Sequence, residues 1–314
     1  MDKKFSIVIP VYGNEKNLPV TIPYIVEHLN LFPDYEVELI LVCDGSPDNS
    51  YQVMEEYRKQ YPELIRTVKF TRNFGQGAAI CCGMKIAVGD VIGVISCDLQ
   101  DPFELFKDML DEWEKGYKLV IASRQKRKDR GFSVLGSKIF HKIVHRLIEP
   151  RYPDGGFDFY VMDKTVTNAF CQADIPNASP QMLLLWLGYE YKEIPYVRGE
   201  RTIGKSSWNM RRKVNGAIGV ITSYSSILLR FLGCVGFLFM VIGAVGDVCC
   251  LLMVIDNRSI SVVIPILFFN ALLTGILLIA LWIVGEYLWR IFDLVKKRPR
   301  YVIEKISDDA KERT

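Results

Sequence analysis

Two long apolar runs lie back to back near the end of this chain, and any fold must accommodate them. Residues 231–255 carry one charge, Asp247, and residues 259–285 carry none. At about 1.5 Å per residue, either run can cross a hydrocarbon core of about 30 Å as a helix. Only Asp256, Asn257 and Arg258 separate them, which suits a tight helical hairpin. Two buried core helices are the alternative, but adjacent uncharged runs of this length are rare in soluble cores. Arg211, Arg212, Lys213 and Arg230 precede the pair, and Arg290, Lys296, Lys297, Arg298 and Arg300 follow it. Basic flanks stay on the cytosolic side, so both ends are expected there, with only the linker reaching the far side. Asp247 is costly inside a span unless partnered, and a structural role at a helix or subunit interface is expected of it.

The remainder reads as a soluble domain. Lys and Arg number 39 against 36 Asp and Glu, a net charge of +3, so there is no global electrostatic footprint for nucleic acid. The eight cysteines form no C-x-x-C pair, and the three histidines are not at ligand spacing from them. Zinc and a disulfide framework are therefore disfavoured, and reduced thiols are expected. Phe5–Val11 is too short for the apolar core of a secretory leader and runs into a turn, so no cleaved leader is expected.

From the start to about residue 130, apolar runs alternate with helix-like patterns. Strands are expected at Phe5–Val11, Val37–Val42, Leu64–Phe70, Val91–Ile95 and Leu119–Ala122, and helices at 17–31, 51–61, 75–88 and 103–115. Near-continuously apolar strands separated by helices imply a mostly parallel sheet covered on both faces. In such sheets ligands lie at the carboxyl ends of the strands. There the chain places Pro10-Val11-Tyr12-Gly13-Asn14-Glu15, Cys43-Asp44-Gly45-Ser46, Thr71-Arg72-Asn73-Phe74-Gly75 and Ser96-Cys97-Asp98-Leu99-Gln100-Asp101. Each alone is an ordinary turn composition; four on one edge suggest a site. A dinucleotide fold wants G-x-G-x-x-G after the first strand, where this chain has only Gly13, and a P-loop is absent. Asp98 and Gln100 offer hard oxygens suited to Mg²⁺ or Mn²⁺ held between a carboxylate and substrate phosphates.

Ile7-Val8-Ile9-Pro10-Val11-Tyr12, Glu15, Asp44-Gly45-Ser46, Arg72-Asn73-Phe74-Gly75, Asp98-Leu99-Gln100-Asp101-Pro102 and Ala122-Ser123-Arg124 together resemble glycosyltransferase family 2. The apolar pair, Asp158-Phe159 with Met162-Asp163, and Arg201-x-x-Gly204-x-Ser206 narrow the resemblance. They are similar to the polyprenyl-phosphate glycosyltransferases, a group that includes dolichol-phosphate mannose synthases and bactoprenol glucosyltransferases. The resemblance spans about residues 5–303. It implies an α/β GT-A fold, Rossmann-like with a mostly parallel sheet, plus the two-helix transmembrane hairpin. It also implies a nucleotide-sugar donor and a polyprenyl phosphate acceptor. By the same resemblance Pro10, Tyr12, Glu15 and Asp44 frame the nucleoside, and Asp98 and Gln100 hold Mg²⁺ or Mn²⁺. Asp158 stands at the position of the proposed catalytic base, with Asp98 the other catalytic carboxylate. Arg124 binds anionic groups of the donor, and Arg201 with Ser206 the lipid phosphate. Three positions depart from the family pattern: Cys43 and Ser96 each replace an aspartate, and Ser207 replaces a lysine. Ser96 removes a charged metal ligand, which a hydroxyl, a water or Asp101 could replace.

The implied organisation is a catalytic domain over 1–207, a juxtamembrane amphipathic helix over 208–230, two spans over 231–289 and a basic, then mixed-charge tail over 290–314. Residues 132–148 form a further basic amphipathic pattern suited to an anionic membrane surface, or to packing in a core or oligomer contact. His141 and His145 lack a third ligand, and Trp208 fits an interfacial anchor. The expected setting is the cytosolic face of the cytoplasmic membrane, with membrane lipids and a second copy, up to a tetramer, as partners. UDP-glucose is the first expectation for the donor, with GDP-mannose open. A processive polysaccharide synthase would need Gln-x-x-Arg-Trp, and Gln181 to Trp186 lacks that arginine. A non-catalytic sugar-nucleotide binder is the other alternative, resting on Ser96 alone.

Overall fold

The computed structural model describes residues 3–125, 150–153, 156–173, 179–199 and 299–307, with single helical positions between 246 and 291. The chain divides into two compact units, Met1–Val220 with Pro299–Thr314, and Ile221–Arg298.

The first unit is built on one eight-stranded sheet. In chain order its elements are β1 (Lys3–Val11), α1 (Leu18–Glu27), β2 (Tyr35–Cys43), α2 (Ser50–Gln60), β3 (Ile65–Phe70), α3 (Gln76–Ile86), β4 (Val91–Val94), α4 (Leu105–Glu114), β5 (Leu119–Arg124), β6 (Phe159–Asp163), α5 (Lys164–Ala173), α6 (Pro180–Trp186), β7 (Tyr191–Tyr196) and β8 (Ile303–Ile306). The sheet order is β7-β5-β6-β4-β1-β2-β3-β8. β1 pairs in parallel with β2 and β4, and β2 with β3. β6 runs antiparallel to β4 and β5, and β8 antiparallel to β3.

The strands are apolar almost without interruption because both faces are buried. Alternate side chains point to opposite faces. Ile7, Ile9, Leu39 and Leu41 pack on one side with Ile22 and Ile25 of α1 and Phe106 of α4. Val8, Ile40, Val42 and Val68 pack on the other with Ala79, Cys82 and Ile86 of α3. Gly83 of α3 lies so close to β1 that a Cβ there would stand 2.3 Å from Val8. The expected strands and helices through β5 are all present, with ends shifted by a residue or a few.

Two features were not legible. β6 completes the middle of the sheet from residues read only as a motif. Residues 299–307 return after the apolar runs and add β8, with Thr71 N–H donating to the Val302 carbonyl at 3.1 Å and Ser307 N–H to that of Thr67 at 3.0 Å. The α/β unit is therefore not confined to 1–207; part of the expected tail is a strand. Within Ile221–Arg298 the described positions are helical and largely apolar and exposed, among them Leu252, Ile255, Ile266, Leu277 and Leu288. No helix among the described residues is long and apolar enough to cross a membrane. The hairpin as a whole, the patterns at 132–148 and 208–230, and Arg201 and Ser206 lie outside the described residues.

Candidate active site

The strand order reverses at β1, whose neighbours β2 and β4 are each followed by helical crossovers. A crevice for ligand is expected outside the carboxyl ends of strands at such a point. Three loops there are tied together. The Ser46 hydroxyl accepts from Gly13 N–H at 2.7 Å, and that of Ser50 from Asn14 N–H at 3.0 Å. Both hydroxyls donate to Asp48 Oδ1, at 2.6 and 2.5 Å, while Glu15 N–H reaches Asp48 Oδ2 at 3.1 Å. Glu15 in turn accepts from Asn49 through Oε1 and Oε2. Pro10, next to last in β1, is half-buried, and Tyr12 is 39% exposed at the rim.

Asp44 is 3% exposed. Its Oδ1 accepts from Phe74 N–H at 2.6 Å and its Oδ2 from Gly75 N–H at 2.9 Å. Burial pushes its carboxyl above the usual range, against the pull of those two N–H groups. The structure thus gives Asp44 the task of holding the loop after β3. Gly45 permits the same approach: its φ is +57°, and a Cβ would lie 2.1 Å from the Arg72 backbone.

The loop after β4 carries Asp98 and Gln100. Leu99 between them adopts φ 52°, the one positive value outside glycine among the described residues, a conformation that costs a non-glycine residue energy. The loop is anchored by the Thr21 hydroxyl, which donates to the Cys97 carbonyl at 2.9 Å. Gln100 exchanges backbone and side-chain bonds with Gly199: Gly199 N–H reaches the Gln100 carbonyl at 2.8 Å, and Gln100 Nε2 the Gly199 carbonyl at 3.2 Å. Asp101 is 1% exposed. Tyr196 donates its hydroxyl to Asp101 Oδ1, and Arg198 Nε stands 3.2 Å from the same oxygen. Burial first, then Asp101, pushes the Tyr196 phenol up.

Because β6 is antiparallel, the residue before it lies at the same sheet edge as the end of β5. Asp158 Oδ2 there accepts from Arg124 Nη2, and its Oδ1 accepts from Gln181 Nε2 at 2.7 Å. Burial alone would lower the Arg124 pKa, but Asp158, Tyr196 and Asp101 raise it on balance. Burial, then Asp158, pushes the Tyr152 phenol up to about 12. Asp98, Arg124 and Asp158 thus share one edge, although β6, which brings Asp158 there, was not among the expected strands. Tyr196, Arg198 and Gln181 were not picked out as site residues; only the pairing of β5 with β7 and the placement of α6 bring them in.

Among the described residues no group of three or more His, Cys, Asp or Glu is placed to hold a metal ion. The donor set nevertheless fits Mg²⁺ or Mn²⁺. Asp98 is half-buried and accessible, and such ions commonly take one or two carboxylates and complete their shell with substrate phosphate and water. Asp101 is no substitute ligand, because its carboxylate is buried and held by Tyr196 and Arg198.

Residues 6–171 match glycosyl transferase family 2. Over 304 residues the chain is 31% identical to an uncharacterized glycosyltransferase, YkcC, of Bacillus subtilis, covering 96% of this chain and 94% of that one. It is also 31% identical over 311 residues to a prophage-derived bactoprenol glucosyl transferase of Shigella flexneri, covering 96% and 98%. A prophage bactoprenol glucosyl transferase homolog of Escherichia coli is 30% identical over 313 residues, covering 97% and 99%. A family match across more than half the chain, and relatives matched from end to end, establish that this protein is a glycosyltransferase belonging to family 2, among the polyprenyl-phosphate glycosyltransferases.

Proposed function

We propose that the enzyme transfers a hexose, glucose first among the candidates, from a nucleoside-diphosphate sugar to the phosphate of a membrane polyprenyl phosphate. The observation that carries this reading is that Asp98 and the Arg124–Asp158 pair lie at the same sheet edge. In this reading Asp98 takes a cation on the donor diphosphate and the Arg124 guanidinium takes a phosphate. The relatives named bactoprenol glucosyl transferase support the acceptor class, and the two apolar runs support the membrane location.

A phosphate monoester has a second pKa of about 6 and is already largely dianionic at neutral pH. Its oxygen attacks the anomeric carbon as the bond to the donor diphosphate breaks, which inverts configuration and releases the nucleoside diphosphate. A strong base is not needed. Asp158, with both oxygens engaged by Arg124 and Gln181, orients that arginine toward the acceptor rather than removing a proton. The main cost is bringing two polyanions together. Arg124, with Arg201 of the segment outside the described residues, offsets it through charge-assisted bonds of fixed geometry. Asp98 and Gln100 would hold a divalent cation, which when bound would offset the charge developing on the leaving diphosphate. Tyr12, Pro10, Glu15 and the loop held by Asp44 frame the nucleoside.

The test is mass spectrometry of the lipid product after incubating the purified enzyme and undecaprenyl phosphate with a panel of nucleotide sugars. A hexosyl-phosphate polyprenol formed best from UDP-glucose is expected. Product from GDP-mannose alone would change the donor, and no lipid product with any donor would overturn the acceptor.

A further inference from the structure

Away from the catalytic edge, α3 and α5 border a groove of about 270 Å³, lined by Met84 and Lys85 of the first helix and Lys164, Asn168, Cys171 and Gln172 of the second. The lining holds two ammonium groups, two amides and no carboxylate. Lys164, Asn168 and Gln172 are spaced by four residues and form one stripe along α5. β6 starts at the catalytic edge beside Asp158 and ends at Asp163, so Lys164 opens α5 at the far edge.

Each ammonium is held in place without being neutralised. Lys164 Nζ donates to the Ala87 carbonyl just past α3, and an ammonium has further protons to give. Lys85 Nζ lies 5.8 Å from the ring centroid of Tyr301, a face that attracts a cation without cancelling its charge. Among the described residues neither ammonium is paired with a carboxylate. The Cys171 thiol shows that the two converge: its hydrogen bond with Cys81, then burial, raises it, while Lys85 and Lys164 both pull it back. Two cations facing one groove repel each other, and an anion between them removes that cost.

We propose that this groove binds a small phosphate-bearing anion, held by Lys85 and Lys164 with the amides of Asn168 and Gln172 as further donors. Ammonium groups meet phosphate oxygens through charge-assisted hydrogen bonds, and no carboxylate in the lining opposes them. Pockets for drug-sized ligands begin at roughly 300 Å³, so the groove suits one phosphate or diphosphate group and is not a second nucleotide-sugar site. The anion is a soluble one rather than a lipid headgroup, because the polyprenyl phosphate must come to the catalytic edge and the groove lies toward the other. That choice of source rests on the proposed reaction; the groove itself does not.

The experiment follows thermal unfolding of the purified full chain in neutral detergent. Inorganic phosphate replacing chloride at fixed ionic strength should raise the melting temperature by about 2–4 °C at about five times its dissociation constant. Lys85→Gln removes an exposed side chain outside the core and should weaken the phosphate affinity read from that shift roughly tenfold. Lys164→Gln should do the same. Lys107→Gln, an exposed lysine of α4, should respond as wild type does. No phosphate response in wild type, or an equal response in Lys85→Gln, would overturn the site, the latter placing phosphate elsewhere, such as at Arg124. A second arm compares phosphatidylglycerol with phosphatidylcholine in mixed micelles. Stabilisation by phosphatidylglycerol alone that disappears in Lys85→Gln, with no response to inorganic phosphate, would overturn the soluble source and make the ligand a lipid headgroup.

Discussion

Asp98 has a different standing from the carboxylates around it. Asp44 and Asp101 are buried, while Asp98 sits half-buried on a loop that keeps Leu99 in a costly conformation, its Oδ1 accepting from the Ser96 hydroxyl at 2.8 Å. Asp98→Ala should reduce transfer on the order of a hundredfold or more, because charge stabilisation at the leaving group is lost in a low-dielectric site, and EDTA should do the same to the wild type. Full activity in either case would remove the cation from the mechanism. Asp48 is a stability residue by contrast. Partial burial works against its charge, but bonds from Ser46, Ser50 and the Glu15 and Ser50 N–H groups hold its carboxyl below the ordinary 3.8. In that window the unfolded chain binds more protons, so stability rises with pH. The contribution is complete by about pH 5 and is lost as the pH falls further. Asp48→Asn should therefore show a shallower acid limb in thermal melts between pH 3 and 6. Asp44 works in the opposite direction, its raised carboxyl contributing most at low pH, so the comparison must be made against wild type at each pH.

At the scale of elements, the late strand β8 bears on the loop after β3. Tyr301 stacks on Phe70 at 4.9 Å, nearly parallel, and Phe70 meets Phe74 edge-on at 5.9 Å. Phe74 and Gly75 are the residues whose N–H groups Asp44 holds. The chain segment that follows the apolar runs thus buttresses a loop of the proposed nucleoside site. Tyr301→Ala should destabilise the domain by on the order of 2 kcal/mol and raise the donor KM more than the acceptor KM. Tyr301→Phe keeps the stack and should cost about 1 kcal/mol at most. Equal donor KM in both variants would confine β8 to a purely structural role.

For the whole molecule, the expected topology is a hairpin with both ends on the cytosolic side. In a background without native cysteines, Asn257→Cys should react with an impermeant thiol reagent applied from outside intact cells. Glu56→Cys and Ala310→Cys should react only after permeabilisation. Labelling of position 310 from outside, with 257 protected, would refute the hairpin. If the intervening segment spans a bilayer, both its ends must lie on one side of it, since residues 299–307 pair with β3.

Local pattern by itself determined the first half of the sheet, because an apolar run flanked by turn residues is recognisable wherever both faces of a strand are buried. It also located Asp98 and Asp44 at strand ends, since loops after parallel strands gather at one edge, whereas the place of Asp158 depends on β6, which it did not reveal. It could not assign partners. Asp44 and Asp101 look like ligands in sequence, yet one holds the Phe74–Gly75 backbone and the other Tyr196, Arg198 and Ser96. Those contacts join residues far apart in the chain, and no periodicity encodes them. Nor could it foresee β8, a four-residue strand of mixed polarity. Short edge strands carry little hydrophobic pattern of their own, and only pairing with β3 gives this one its backbone partners. How deeply each carboxylate is buried and which donors face it was decided by tertiary structure alone, because the packing of β4, β5, β6 and β7 brings those neighbours together from distant parts of the chain.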